Sequence, residues 1–452
     1  MRIHFIAIGG SAMHNLAIAM SRMGHQVTGS DDQIFEPSRT RLADNGILPK
    51  QEGWFSGNIT EDLDAVILGM HAHKDNPELE RAKELGLEIF SYPEFLYAQT
   101  ASKMRVVIGG SHGKTSITAM ILHVLKAAGI RHDYMVGAQL QGFDCMVSLS
   151  DAPIAVFEGD EYLSSALDLN PKFLHYKPQI AVISGIAWDH VNVFPSFSEY
   201  TKQFERFTDS MLPGGSLFTY EKDPQLIALR GKLRDDIQSS SYDSIPHRIE
   251  NGQTILELEG EDYPTKIFGE HNMQNLSAAF NVCSALGVEA VDFYKSIQNF
   301  EGASNRLELI AEGPNSVAFR DFAHSPSKLK ATVNALKKQY PDRKLVACME
   351  LHTYSSLNAT FITSYRGTLN PADEALVFYS PKALAIKRLP PLAPSDIEAA
   401  FAKPNLKVTT DAAQVIEFLN KQEIENTNFL FMSSGNYGGA NLPEWAKTAL
   451  SN

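Results

Sequence analysis

The run Val106 to Ser116, VVIGGSHGKTS, carries an apolar stretch into glycines, a lysine and hydroxyls. Gly109, Gly110 and Gly113 let backbone N–H groups approach an anion, a following helix would turn its positive end to the same place, and Lys114 adds a full charge. Thr115 falls where the hydroxyl of a phosphate-binding loop holds Mg²⁺. The chemistry this points to is the holding of ATP or GTP phosphates. The general G-x-x-x-x-G-K-[ST] pattern is met only in part, because its first glycine would fall at Ile108. A glycine-rich turn with a surface lysine is the plainer alternative, and strand, G-K-T and helix in that order argue against it.

A second glycine turn, Ile8-Gly9-Gly10-Ser11-Ala12-Met13, follows the first apolar strand, and Asp31 closes the next one. The spacing invites a dinucleotide reading. Ala7 and Ala12 stand where two glycines of that fingerprint belong, so the fit is incomplete.

These turns need elements to hold them. Arg2 to Ile8, the helical spacing from Asn15 to Met23, and His25 to Gly29 open a β-α-β unit; Ala65 to Leu68, Pro77 to Leu85 and Glu88 to Phe90 continue it to about residue 100. A second unit, 101–302, starts with the strand before the lysine loop and a helix from about Ser116 to Ala128. Its further strands are Ile154 to Phe157 and Ile180 to Ile183; a polar, β-rich stretch follows from Leu217 to Lys266, then a helix over Asn272 to Leu286. The third unit, 303–452, has strands at Val317 to Arg320, Lys344 to Met349, Ala375 to Tyr379 and Phe429 to Met432, and a helix at Pro326 to Lys338. The expected class is α/β in three domains: Rossmann-like, P-loop ATPase-like and Rossmann-like. Ligands in such open sheets gather at the carboxyl ends of the strands.

The whole-chain figures narrow the function class. At 452 residues, 44% hydrophobic and 21% charged, the chain is a multi-domain globular protein. Cys145, Cys283 and Cys348 lack metal-ligand spacing and suit a reducing cytoplasm. No apolar run is long enough for a membrane span, and a net charge of −13 opposes nucleic-acid binding.

The loop Gly110-Ser111-His112-Gly113-Lys114-Thr115 resembles the G-T-x-G-K-T loop of the Mur ligases, ATP-dependent amide-forming enzymes of peptidoglycan assembly and recycling. Phe157-Glu158-Gly159-Asp160-Glu161 is similar to the family's E-A-D-E, and Trp188-Asp189-His190 to its D-H. Gly269-Glu270-His271-Asn272 with Asn275 is similar to G-x-H-N-x-x-N, and Asn305-Arg306-Leu307-Glu308 to R-R-x-E. Asp321-Phe322-Ala323-His324-Ser325-Pro326 resembles D-[YF]-A-H-H-P, with serine for the second histidine. The motifs keep family order along nearly the whole chain.

The resemblance implies phosphorylation of a substrate carboxylate by ATP, then attack of an amine on the acyl phosphate. It implies that Gly110 to Ser116 with Lys114 hold phosphates, that Thr115 and Glu158 hold a first Mg²⁺, and that His190 holds a second. His271, Asn272 and Asn275 would lie on the adenine side, Arg306 at the γ-phosphate across the domain boundary, and Asp321 at the ribose. Each has a plainer reading: His190 as a partner of Asp189, Asn272 as a helix cap, Arg306 in an interdomain salt bridge. Asp160 and Glu161 read equally as a solvated acidic turn or as electrostatic support. Lys202 does not match the spacing of the carbamylated lysine that some members carry.

In members that bind UDP-N-acetylmuramate, a related G-x-G-G-x-x-M turn receives the diphosphate, which implies that role for Gly9, Gly10, Ser11 and Met13. Asp31 would then face the UDP portion, and His71 and Asn76 the sugar end, with Asn76 equally placed to cap a helix starting at Pro77. His324 would lie on the side of the transferred group. The run from Tyr162 to Pro178, with K-F-L-H-Y-K-P, resembles the branch that accepts L-alanyl-γ-D-glutamyl-meso-diaminopimelate, as does Asp189-His190-Val191-Asn192-Val193-Phe194-Pro195. Phe173, His175 and Tyr176 could also simply pack a longer loop. The alternatives are the L-alanine-adding branch and, outside catalysis, a UDP-sugar-binding or ATP-switch protein, which intact Lys114, Thr115, Glu158 and His190 oppose.

Overall fold

The computed structural model describes residues 1–140, 142–190 and 193–451. Val191 and Asn192, part of the motif after His190, lie outside the described residues. The chain forms two compact units. One comprises Met1–Ile186, Thr201–Asp243 and Ala278–Glu289, the other Ala187–Tyr200, Ser244–Ser277 and Ala290–Asn452.

The first unit holds two sheets. In one, Gln26–Ser30, Arg2–Ile6, Ala65–Leu68 and Ile89–Ser91 lie side by side, all parallel. Parallel neighbours need crossovers, and Ser11–Arg22 and Pro77–Glu84 supply helical ones. Ile6 is in register with both Ser30 and Leu68, so the first glycine turn leaves the sheet beside Asp31 and Gly69.

The other sheet orders its strands Gln238–Tyr242, Ser216–Tyr220, Ile180–Ile183, Met104–Gly109, Ile154–Glu158, His132–Met135 and Val147–Ser148. Only the last pair is antiparallel. Ile108 is in register with Glu158, and Gly109 with Ile183. The lysine loop, Glu158 and Ser184 therefore share one edge. The strand Met104–Gly109 is central and buried on both faces from Val106 on, which is why Val106 to Ile108 run apolar without alternation.

The second unit carries an antiparallel meander, His247–Glu250, Gln253–Leu258 and Glu261–Thr265. Its larger sheet is ordered Glu308–Glu312, Val317–Asp321, Thr427–Met432, Lys344–Leu351, Glu374–Tyr379 and Lys407–Thr409, parallel after the first pair. Helices cover both faces, with Leu329, Val333 and Leu336 of Pro326–Gln339 packed in one core and Val415 and Leu419 of Ala412–Asn420 in the other. The expected multi-domain α/β class holds. Among the described residues no helix is long and apolar enough to cross a membrane.

Candidate active site

In the lysine loop, backbone shape comes first. Gly110 has φ +124°, and a Cβ there would stand 2.2 Å from Ser184 Oγ; Gly113 has φ +80° immediately before the helix Lys114–Ala127. Both positions require glycine. Ser111 N–H donates to Gly185 O, the Ser184 hydroxyl donates to His112 O, and a Cβ on Gly185 would strike the His112 ring. The loop is thus fixed against the end of the strand Ile180–Ile183. Its helix begins at Lys114, so Lys114, Thr115 and Ser116 form the first turn, where N–H groups and the dipole favour an anion.

Lys114 Nζ donates to Gly110 O at 2.6 Å and to Glu161 Oε2 at 2.7 Å. Glu161 is fully buried. Burial works against the charge on Lys114, but the carboxylates of Glu161, Asp160 and Glu158 outweigh it and hold the ammonium above its ordinary range. Thr115 Oγ1 donates to Glu158 Oε1 at 2.9 Å, and Gly137 N–H donates to Glu158 Oε2 at 2.9 Å. A hydroxyl and a carboxylate facing each other beside a phosphate loop are the hard oxygen donors that Mg²⁺ takes, so these residues fit the ion. Asp160, besides its charge on Lys114, pairs with Lys172 at 2.6 Å and accepts Tyr162 N–H at 3.2 Å.

The first glycine turn is built as tightly. Gly9 N–H donates to Asp31 Oδ2 at 2.8 Å, and a Cβ on Gly9 would lie 2.9 Å from that oxygen. Ala7 takes φ +70°, a left-handed position normally given to glycine, with its N–H on Ser30 O. Ser11 is exposed and Met13 is buried beneath it. His71 is exposed, whereas Asn76 is buried and caps Pro77–Glu84, its Oδ1 accepting from Glu78 and Leu79 N–H.

Residues 2–103 match the model described as Mur ligase family, catalytic domain, and residues 108–283 match the Mur ligase middle domain. A UDP-N-acetylmuramate–L-alanine ligase of Arthrobacter sp. is 31% identical over 83% of this chain and 80% of its own. The chain belongs to the Mur ligase family.

A second Mur ligase relative, the UDP-N-acetylmuramate–L-alanyl-γ-D-glutamyl-meso-2,6-diaminoheptandioate ligase of Haemophilus influenzae, is 25% identical over 97% of both chains. The crystal structure of a UDP-N-acetylmuramate–alanine ligase from Thermotoga maritima shares the fold, with TM-score 0.71 and 22% identity over 97% of each chain. Family members are ATP-dependent ligases that form amide bonds, and this chain is an ATP-dependent carbon–nitrogen ligase.

The remaining Mur motifs fall in the second unit. His190 has φ +54° and its N–H donates to Asp189 Oδ1 at 2.8 Å. Asp189 is buried; that burial is outweighed by Lys328, 3.6 Å away, and by His190, which hold its carboxyl well below the usual range. His324 hydrogen-bonds Phe322 O through Nδ1 at 2.8 Å, and burial together with Lys328 pushes it down to about 3, so its imidazole is neutral.

Asp321 accepts Leu307 N–H at 2.7 Å and Ala323 N–H at 2.8 Å, so both its oxygens already hold the chain itself. Arg306 donates to Asn305 O at 3.0 Å and lies 4.7 Å above the Phe322 ring. At the start of the helix Glu270–Ala285, Gly269 has φ +90°, Asn272 Nδ2 donates to Phe268 O, and Asn275 Nδ2 donates to Asn272 Oδ1 at 3.2 Å.

Two features were poorly legible. Glu161, read from sequence as a turn residue or a supporting charge, is the ion-pair partner of Lys114, 47 positions along the chain. In the run resembling the tripeptide branch, Phe173 stacks on Phe207 at 4.5 Å, Tyr176 packs on Phe157, and His175 Nε2 lies 2.6 Å from Asp168 Oδ2. Phe173 and Tyr176 fill a core, which was the plainer of the two readings.

Proposed function

We propose that the protein joins the carboxyl of UDP-N-acetylmuramate to the amine of L-alanyl-γ-D-glutamyl-meso-diaminopimelate, with ATP converted to ADP and phosphate, in peptidoglycan recycling or synthesis. The observation that carries the catalytic half is the pairing of Lys114 with Glu161 and of Thr115 with Glu158 on one sheet edge. A muramyl carboxylate oxygen attacks the γ-phosphorus and ADP leaves. The acceptor nitrogen then attacks the acyl carbon, phosphate departs, and the nitrogen gives up its proton. Lys114 and the amides of residues 110–116 orient the phosphates and offset their growing charge, the main source of rate in such transfers. Thr115 and Glu158 would hold Mg²⁺, with His190 for a second ion, and the ion when bound would neutralise phosphate oxygens.

Gly9, Gly10 and Ser11 are assigned to the UDP diphosphate, Met13 and Asp31 support that turn, and His71 is assigned to the sugar side beside the cap Asn76. His271, Asn272, Asn275, Arg306 and Asp321 belong to the nucleotide side, and His324 to the acceptor side. We assign residues 1–100 to UDP-sugar binding, 101–302 to ATP and 303–452 to the acceptor. The tripeptide as acceptor is supported by the run from Tyr162 to Pro178 and by the end-to-end match to the Haemophilus ligase. L-Alanine is the second reading, favoured by the 31% identity to the Arthrobacter enzyme. ADP release and product mass, measured with UDP-N-acetylmuramate plus each acceptor separately, test both. A higher kcat/KM for the tripeptide is expected; a higher value for L-alanine overturns the acceptor assignment, and no ADP with either overturns the reaction.

A further inference from the structure

We infer that Asn15 is a positioning residue that ties the glycine turn Gly9-Gly10-Ser11 to the carboxylate of Glu158. Asn15 lies inside the helix Ser11–Arg22 and is 3% exposed. Its Nδ2 donates to Ser11 O at 2.8 Å, while its Oδ1 accepts Met146 N–H at 2.9 Å, 131 positions along the chain. From there the path alternates between hydrogen bonds and short lengths of backbone. Met146 O accepts Val136 N–H at 3.0 Å, the adjacent Gly137 N–H donates to Glu158 Oε2, and Glu158 Oε1 accepts the Thr115 hydroxyl. One buried amide therefore joins the two glycine turns of the first unit.

Packing alone does not call for this residue. A buried amide is costly unless both of its groups are bonded, and an apolar side chain of similar volume would fill the same space without that cost. The surroundings hold the join from outside as well: Arg22 pairs with Asp144 at 2.8 Å, and Arg41 donates to Asp144 O. Ligand at one turn should then change affinity at the other, and linkage makes the effect reciprocal.

The inference rests on the proposed roles of the turn and of Glu158, and the test separates the two. Binding of Mg-ADP to the full-length protein is measured with and without saturating UDP-N-acetylmuramate, then in the reverse order. The wild type is expected to show a coupling factor on the order of tenfold, within the usual range for linked sites. Asn15→Leu, which at similar volume removes the bonds to Ser11 O and Met146 N–H together with the side-chain contacts to His14 Nε2 and Cys145 Sγ, should bring the factor to near one. Asn15→Asp, which keeps an oxygen for Met146 N–H and loses the donor to Ser11, should lie between, and it keeps the test decisive if the leucine variant does not fold. A merely structural role would lower both affinities and leave their ratio unchanged. An unchanged ratio in either folded variant overturns the inference, as does independent binding in the wild type. Failure of the wild type to bind UDP-N-acetylmuramate at all would overturn the functional reading first.

Discussion

Replacing Lys114 by alanine removes two things that a second substitution can separate. The ammonium is 14% exposed and its partner carboxylate on Glu161 only 1%, so Lys114→Ala leaves a charge buried without its counterion. Breaking one side of such a pair costs about 3–5 kcal/mol. At roughly 2–4 °C per kcal/mol for a unit of this size, the melting temperature should fall by on the order of 10 °C. Glu161→Gln removes the stranded charge and keeps a polar side chain, so the double variant Lys114→Ala/Glu161→Gln should recover most of that loss. Turnover should not recover. Loss of one oriented phosphate donor lowers kcat by about 10²- to 10³-fold, and no group in the double variant replaces it. UDP-N-acetylmuramate binding should stay near the wild-type value in both variants. The measurements are a thermal melt and an ADP-release assay on the three proteins. Near-normal turnover by the double variant would show that Lys114 serves only to neutralise Glu161, and would refute its role at the phosphates.

Two further outcomes are expected. Glu158→Gln should raise the Mg²⁺ concentration needed for half-maximal activity more than Asp160→Asn does, because the amide keeps an oxygen but loses the charge, and Asp160 is already paired with Lys172; a larger effect at Asp160 would identify it as the metal carboxylate. Burial raises Asp31 from 3.8 to about 6, with the nearby Asp32 adding to the rise and the Gly9 N–H opposing it. The folded chain thus keeps a proton that the unfolded chain has released, so the contribution of this group to stability is full at acid pH and is lost as pH climbs from about 4 to 6. Over that window Asp31→Asn should gain on the wild type by up to about 3 kcal/mol in paired denaturation curves, and a constant difference between the two would show that Asp31 is ionised throughout.

What could be read in advance follows the physics of each signal. The strand Ile180–Ile183 and the helix from Pro326 carry their own apolar period and proline start, so their placement needed no tertiary information. The edge strand Gln238–Tyr242 reads QSSSY and buries only its tyrosine, so no hydrophobic pattern marks it, and pairing with Ser216–Tyr220 alone makes it a strand. Helix starts were read too late where glycine turns feed them: the helices expected from Asn15 and about Ser116 begin at Ser11 and Lys114. Those extra residues matter most, because they carry the first N–H groups of each helix, which have no partner within the helix. Residue types at the lysine loop were legible because glycine and lysine have few substitutes there. The partners of those residues were not, since Glu161 and Asn15 act over long separations that only the sheet order defines.

The same reasoning decides what the N-terminal turn does not do. A dinucleotide site needs an acidic residue at the end of the second strand that turns outward to the ribose hydroxyls, and three glycines so that the backbone can approach the pyrophosphate. Here Asp31 turns inward: its Oδ2 accepts Gly9 N–H and sits where a Gly9 side chain would begin. Ala7 takes the left-handed position in glycine's place and holds the start of the turn against Ser30. The acidic residue is therefore part of the scaffold that shapes the turn, and the exposed surface left to a ligand is Ser11 with the backbone of Gly9 and Gly10. Such a surface offers small donors suited to phosphate oxygens, while Asp31 is committed to the turn itself, so the spacing resembles a dinucleotide fingerprint although its acidic residue serves the scaffold.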